Sequence, residues 1–253
     1  PGHSGVSPDE LALPLALNWR HTPEIDDPVS AVGSAVVGPD MVYFAAGERV
    51  YGVDRTTGAL AWELNVGASV YSTPLLHNGT LYFGADNNNV YAADARTGSR
   101  KWQFATAGKV RSAPLYLSGV LYFASEDGRI YALLADDHTL LWQFQTQGAV
   151  RGTPCYGRDT VYAASEDGHL YAVESRTGQQ VWRAQLGEEY AFASPVMERQ
   201  KVIVAAGSKL MAFDGRRGVR RWTFTAGDLI SGTPAVAERK VYAGSHDGVV
   251  YCI

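Results

Sequence analysis

Along most of this chain, apolar and aromatic residues alternate with small or polar ones at a period of two. That is the spacing of half-buried β-strands, and no stretch sustains a helical period. One segment reads as four successive strands: Ala113 to Leu117, Val120 to Ser125, Arg129 to Leu133 and Leu141 to Gln145. Between the second and third strands stand Asp127-Gly128, Asp167-Gly168 or Asp247-Gly248. Asp-Gly predicts a type I′ turn, in which both central residues take positive φ. Between the third and fourth strands an Asp-x-x-Thr-Gly run recurs, and its glycine predicts a left-handed residue.

The four-strand pattern repeats. The tryptophans are Trp19, Trp62, Trp102, Trp142, Trp182 and Trp222, the last five spaced by 40 residues and the first interval being 43. On the same grid recur Tyr51, Tyr91, Tyr131, Tyr171 and Tyr251, with Met211 taking the place once. Pro74, Pro114, Pro154, Pro195 and Pro234 head the first strands. Four-stranded units of about 40 residues predict propeller blades. The predicted fold is therefore all-β: a six-bladed β-propeller of four-stranded antiparallel blades, its ring closed by the N-terminal strand.

The repeat arithmetic sets the expected domain limits. Residues 11–253 span six repeats of 40 plus a three-residue insertion before Trp62. Ile253 stops one position short of its Asp site, and Leu11 lies where the missing strand resumes. Residues 1–10 are expected to be a tail and residues 11–253 a single domain, with residues 11–23 completing the last blade and covering its open edge. Six repeats of a larger seven- or eight-bladed ring fit the same count. The start, Pro1-Gly2-His3-Ser4, reads as no signal peptide, and equally as what remains once a signal or another domain is removed.

The segment Asp54-Arg55-Thr56-Thr57-Gly58-Ala59-Leu60-Ala61-Trp62 resembles the tryptophan-docking motif of pyrroloquinoline-quinone (PQQ) type repeats. So do the segments ending at Trp102, Trp182 and Trp222, and the resemblance covers nearly the whole chain. It implies that each indole packs on the glycine of its own motif (Gly58, Gly98, Gly178 or Gly218) and hydrogen-bonds toward the neighbouring blade. The third repeat has Leu134 and His138 where Asp and Gly are expected, which predicts a different turn there. The Trp19 strand lacks the motif, as expected of a turn severed by the chain ends.

Composition excludes several function classes. A formal charge of −4 and a pI near 5.9 give no global field for nucleic acid or anionic lipid. No apolar run approaches the ~20 residues that span a bilayer. Cys155 and Cys252, two blades apart, read as small buried residues and form no disulfide or Cys-rich metal site. The PQQ-dependent dehydrogenases, which resemble this chain in repeat, carry adjacent cysteines and a Glu/Asn/Asp calcium set that cannot be placed here. His138, His169 and His246 fall in separate blades, and no Gly-x-Ser-x-Gly, phosphate loop or His-Glu-x-x-His appears. The expectation is no enzyme, no cofactor and no metal.

A binding site is expected where the blade-to-blade loops meet the second-to-third strand tips. Three residues before each proline stand Tyr71, Arg111, Arg151, Phe192 and Ser231, with Ala31 as the first-blade equivalent. The two arginines either hold an anion or a partner carboxylate, or pair with Glu126, Asp127, Glu166 or Asp167 on the same rim. The irregular loops from His21 to Ser30 and from Gly187 to Phe192 are further candidates. The tips Asp86-Asn87-Asn88-Asn89, Ser125-Glu126-Asp127 and Ser165-Glu166-Asp167 suit calcium or a basic peptide, but their residues are also what tight hairpins demand. Arg216, Arg217, Arg220 and Arg221 form the densest basic cluster, read as a charged outer edge or as a contact for phosphate or an acidic partner.

The functional expectation is a non-catalytic interaction or scaffold module that presents this face to a protein or peptide. By resemblance it is similar in architecture to the barrel-assembly lipoprotein of the bacterial outer membrane and to sensor domains of bacterial kinases. Resemblance alone implies a periplasmic or extracellular place. The alternative is a sensor of a small anion or quinone at the channel mouth, which requires Arg111 and Arg151 to point inward unpaired. Quinoprotein catalysis and nucleic-acid binding stand further off.

Overall fold

A computed structural model of the chain describes residues 17–23, 33–187 and 193–253, and all of its regular structure is β. Ala31, Phe192, Leu11, the tail and most of both irregular loops lie outside the described residues.

The strands fall into six antiparallel sheets in chain order. Blade one holds β1 (Val36–Val37), β2 (Met41–Ala46), β3 (Arg49–Asp54) and β4 (Leu60–Asn65). Blade two holds β5 (Leu75–His77), β6 (Thr80–Ala85), β7 (Asn89–Asp94) and β8 (Arg100–Ala105). Blade three holds β9 (Leu115–Leu117), β10 (Val120–Ala124), β11 (Arg129–Leu134) and β12 (Leu140–Gln145). Blade four holds β13 (Cys155–Gly157), β14 (Thr160–Ser165), β15 (His169–Glu174) and β16 (Gln180–Gln185). Blade five holds β17 (Val196–Glu198), β18 (Lys201–Ala206), β19 (Lys209–Asp214) and β20 (Arg220–Thr225). The sixth sheet has three described strands, β21 (Ala235–Ala237), β22 (Lys240–Gly244) and β23 (Val250–Cys252). The chain divides into two compact units, parting between Tyr116 and Leu117.

Burial follows strand position. In blades two to five the second and third strands are largely buried on both faces, and β6 and β14 are buried at every residue, whereas β22 and β23 of the sixth sheet are partly exposed. The fourth strands alternate, with outer residues exposed and the tryptophan and the residue two beyond turned inward. In the first unit Val50, Leu81, Phe83, Ala85 and Ala93 form a core with no exposed surface. In the second, Val202, Val204, Leu170 and Met211 do the same.

The turns correct two expectations. Gly128, Gly168 and Gly248 have φ near +80°, but Asp127, Asp167 and Asp247 do not take positive φ, so these tips are not type I′. Gly128 N–H donates to Ser125 O at 3.1 Å and Ser125 N–H to Arg129 O at 3.0 Å. That is a three-residue loop, a type I turn closed by a left-handed glycine. Type I′ geometry lies instead between the first and second strands, where both Asn78 and Gly79 have positive φ, as do Arg158 and Asp159, and Glu238 and Arg239. The third repeat also keeps the common turn. His138 takes φ +54° and donates its N–H to Leu134 O at 3.0 Å, as Gly58 does to Asp54 O at 2.8 Å. The backbone bonds set the turn. What the third repeat loses is the Asp54-type carboxylate, which accepts from the N–H groups of Thr56 and Thr57.

Cys252 is exposed rather than buried, because β23 is the last described strand of its sheet. Cys155 is half-buried against the core of its unit, and burial pushes its thiol pKa up.

Candidate functional site

The rim is positioned by the tryptophan joints. Trp62 Nε1–H donates to Ala95 O at 3.0 Å, and its ring covers Gly98. Trp142 reaches Ser175 O at 2.8 Å and covers Gly178, and Trp182 reaches Gly215 O at 2.9 Å and covers Gly218. Each indole therefore docks on the glycine turn of the next blade, not on its own motif as the resemblance implied. The reason is geometric: the ring leaves the outer strand sideways, so the turn it can reach belongs to the neighbouring blade. Trp102 and Trp222 are half-buried.

Trp19 follows the same rule. Its Nε1–H donates to Arg55 O at 2.8 Å and its ring covers Gly58. Two residues on, His21 lies 6.2 Å from the Tyr51 ring, as Phe144 lies 5.6 Å from Tyr171. Residues 17–23 thus sit against blade one as a preceding fourth strand would, although none of them is in a strand.

A second recurring device fixes the tips. Tyr131 OH donates to Asp127 Oδ2 at 2.6 Å, Tyr171 OH to Asp167 Oδ2 at 2.8 Å and Tyr251 OH to Asp247 Oδ2 at 2.7 Å. The other carboxylate oxygen accepts from the N–H two residues on, that of Arg129, His169 or Val249. Burial and the Asp127 carboxylate together push the Tyr131 pKa up to about 12. Burial opposes the charge of Asp167, yet the hydroxyl of Tyr171 and the N–H of Gln147 hold its carboxyl below the usual range. Blade five shows the converse: its tip is Gly207-Ser208 with no carboxylate, and the tyrosine position is Met211. The sequence carried this signal as a Tyr four residues after each tip Asp.

These joints and tips hold the rim residues. Arg111 grips Asp86 with two parallel bonds, Nε to Oδ1 at 2.9 Å and Nη2 to Oδ2 at 2.7 Å. Lys109 Nζ adds a third at 3.0 Å. Burial works against the Asp86 charge, but the two cations overcome it and keep the carboxyl low. The guanidinium also lies 4.6 Å from the centre of the Tyr71 ring, a cation–π distance, and Tyr71 is 47% exposed. Arg151 Nε donates to Glu126 Oε1 at 2.9 Å, while its Nη1 makes a close charge contact with Glu166 Oε1 at 2.7 Å. Ser231 Oγ meets His246 Nε2 at 2.8 Å.

The structure therefore unites Tyr71 and Arg111 around Asp86, a residue the sequence reading left out of the pairing. It gives Arg151 two of the expected partners, and it sets Ser231 with His246. The inward, unpaired arginines that an anion sensor requires are not what the rim holds. Among the described residues no three His, Cys, Asp or Glu side chains stand together as a metal site, and no helix is long and apolar enough to cross a membrane. Arg216, Arg217 and Arg220 are exposed, and Arg221 pairs with Asp214.

Known proteins complete the picture. A family model described as outer membrane protein assembly factor BamB matches residues 16–116 and 46–253. No curated protein matches the chain. The crystal structure of BamB from Moraxella catarrhalis superposes with a TM-score of 0.77 and 20% identity, over 86% of this chain and 70% of that one. The crystal structure of the computationally designed Ika8 protein gives 0.79 and 16%, over 90% and 72%. Identities this low speak for the fold alone, and the fold is a β-propeller, here of six blades.

Proposed function

From the premise that the chain belongs to the family of the outer membrane protein assembly factor BamB, a propeller family suited to protein interaction, we propose that it is a non-catalytic scaffold. It holds another protein at the rim bearing Tyr71 and Arg111. The observation that carries this is the exposed Tyr71 ring backed by a guanidinium already fixed on Asp86. A half-exposed aromatic held rigid by its neighbours loses little entropy on binding, and Tyr and Arg dominate interface hot spots. A partner's apolar side chain would cover Tyr71, while Arg111 stays fixed on Asp86 behind the ring. The proposed location is the periplasm, which the family's description as an outer membrane protein assembly factor supports. We further propose that residues 11–253 act as one domain, with residues 11–23 as a blade-completing segment.

A photo-crosslinking residue at Tyr71, introduced in the intact cell envelope, tests the proposal. The expected result is one discrete protein adduct that Arg111→Ala removes. Adducts no different from those formed by the same probe at Val181, which is exposed at the other end of the strands, would refute it.

A further inference from the structure

We infer that the end of blades four to six opposite the rim is a docking surface for an anionic bilayer, bound through arginine–phosphate contacts. It goes beyond the rim proposal and shares no residue with it. The first-to-second strand turns carry the argument. Blades two and three use Asn78-Gly79 and Ser118-Gly119, each with a glycine at the second positive-φ position. Blades four, five and six place arginine in that strained region instead: Arg158 at φ +53°, Arg199 at +53° and Arg239 at +68°. A long non-glycine side chain in the left-handed region is uncommon and costs free energy, so three in consecutive blades call for a reason outside the turn.

The three turns form one surface. The first strands β13, β17 and β21 pack side by side, and Met197 Cε would lie 2.5 Å from a Cβ placed on Gly157, the residue before Arg158. In blade five the neighbouring turn joins in, with Gly215 N–H donating to Gln200 O at 2.8 Å. That turn adds exposed Arg216 and Arg217, and Arg220 begins the next strand. Arg199 pairs with Glu198 at 3.3 Å. Among the described residues no carboxylate stands within ion-pair distance of Arg158, Arg216, Arg217, Arg220 or Arg239. Asp159 and Glu238 share the turns of Arg158 and Arg239, but with Arg216, Arg217 and Arg220 added the arginines outnumber them, on a chain that is acidic at −4 as a whole.

The shape selects the partner. Two-residue turns form no groove. Tyr156, the aromatic beside Arg158, is half-buried with its hydroxyl tied to Asp159 at 2.9 Å, so it is no free-standing platform to stack a base. Separate guanidinium groups on a broad end face instead match a surface of many phosphates, each able to accept two parallel N–H bonds. Val219, 53% exposed beside Arg220, offers an apolar contact at the headgroup level.

Vesicle co-sedimentation tests this with the whole chain. Phosphatidylglycerol-containing and pure phosphatidylcholine vesicles are compared at low and high salt, for the wild type and for Arg158→Asn/Arg199→Asn/Arg239→Asn. Asparagine suits positive φ at least as well as arginine, so an unchanged or raised melting temperature shows that the variant is folded. Each arginine contributes about fivefold near an anionic surface, so the triple variant is expected to bind roughly a hundredfold more weakly. The pair Arg216→Gln/Arg217→Gln, outside the strained turns, is expected to lose about twentyfold on the same scale. Binding that ignores phosphatidylglycerol, or that survives the triple substitution, would overturn the inference. So would tighter binding to duplex DNA or polyglutamate at equal charge concentration.

Discussion

Replacing Gly98 by alanine isolates what a tryptophan joint contributes. Gly98 has φ +72°, and a Cβ there would lie 2.5 Å from Trp62 Cε3 and 2.7 Å from Cδ2, far inside van der Waals contact. The ring cannot swing aside freely, because its Nε1–H is committed to Ala95 O and it is only 8% exposed. Gly79 supplies the control: its φ is +69°, but a Cβ there meets nothing within 4 Å. Both alanines incur left-handed strain of about 1–2 kcal/mol, and both gain the same stiffening of the unfolded chain. Only Gly98→Ala adds the overpacking cost, about 1–3 kcal/mol. Both glycines lie in the same compact unit, so the difference stands even if the two units unfold separately. Urea unfolding followed by far-UV circular dichroism reads the two variants against the wild type. Gly98→Ala is expected to be less stable than Gly79→Ala by about 1–3 kcal/mol, or about 3–10 °C in melting temperature for a chain of this size. Equal destabilisation within about 0.5 kcal/mol, the reach of additive error, would show that the joint yields without cost and would refute the docking argument.

Two further outcomes follow from the tips and the cysteines. Tyr131 has its pKa raised to about 12 in the fold against 10.0 for an unperturbed tyrosine, so the unfolded chain loses that proton first. Its contribution is complete below pH 10 and is lost as pH rises toward 12; Tyr131→Phe is therefore expected to flatten alkaline unfolding in that window, and an unchanged pH profile would contradict the assignment. Of the two cysteines, exposed Cys252 is expected to react with a disulfide reagent in the folded protein faster than half-buried Cys155, whose thiol pKa burial raises. Equal rates at both thiols would show that burial gives Cys155 no protection.

The architecture was legible because each blade repeats the same local chemistry. Period-two alternation, prolines heading strands and glycines with φ near +70° at Gly58, Gly98, Gly178 and Gly218 all act within one blade. Turn type was less legible, because Asp-Gly suits two hairpin geometries and the flanking loop length decides between them. At Ser125 to Arg129 the loop has three residues, so only Gly128 takes positive φ and Asp127 turns its carboxylate to Tyr131. His138 shows the opposite error: a residue change that looks disruptive leaves the turn intact, because backbone bonds alone define it.

The site was harder to read than the fold because its pairings cross from one blade to the next. Position three before each proline identified Tyr71, Arg111, Arg151 and Ser231, but not what each one faces. Arg111 could be assigned to any carboxylate on its rim, and only the sideways step between blades selects Asp86, 25 residues earlier. The same step explains why Trp62 covers Gly98 rather than Gly58. Each joint is thus a contract between a residue and a position about one repeat away, so a substitution acts on the neighbouring blade before its own. By that logic Asp86→Asn should disturb Arg111 and Tyr71 while leaving the turn that carries residue 86 in place, since Asn88 supplies its positive φ.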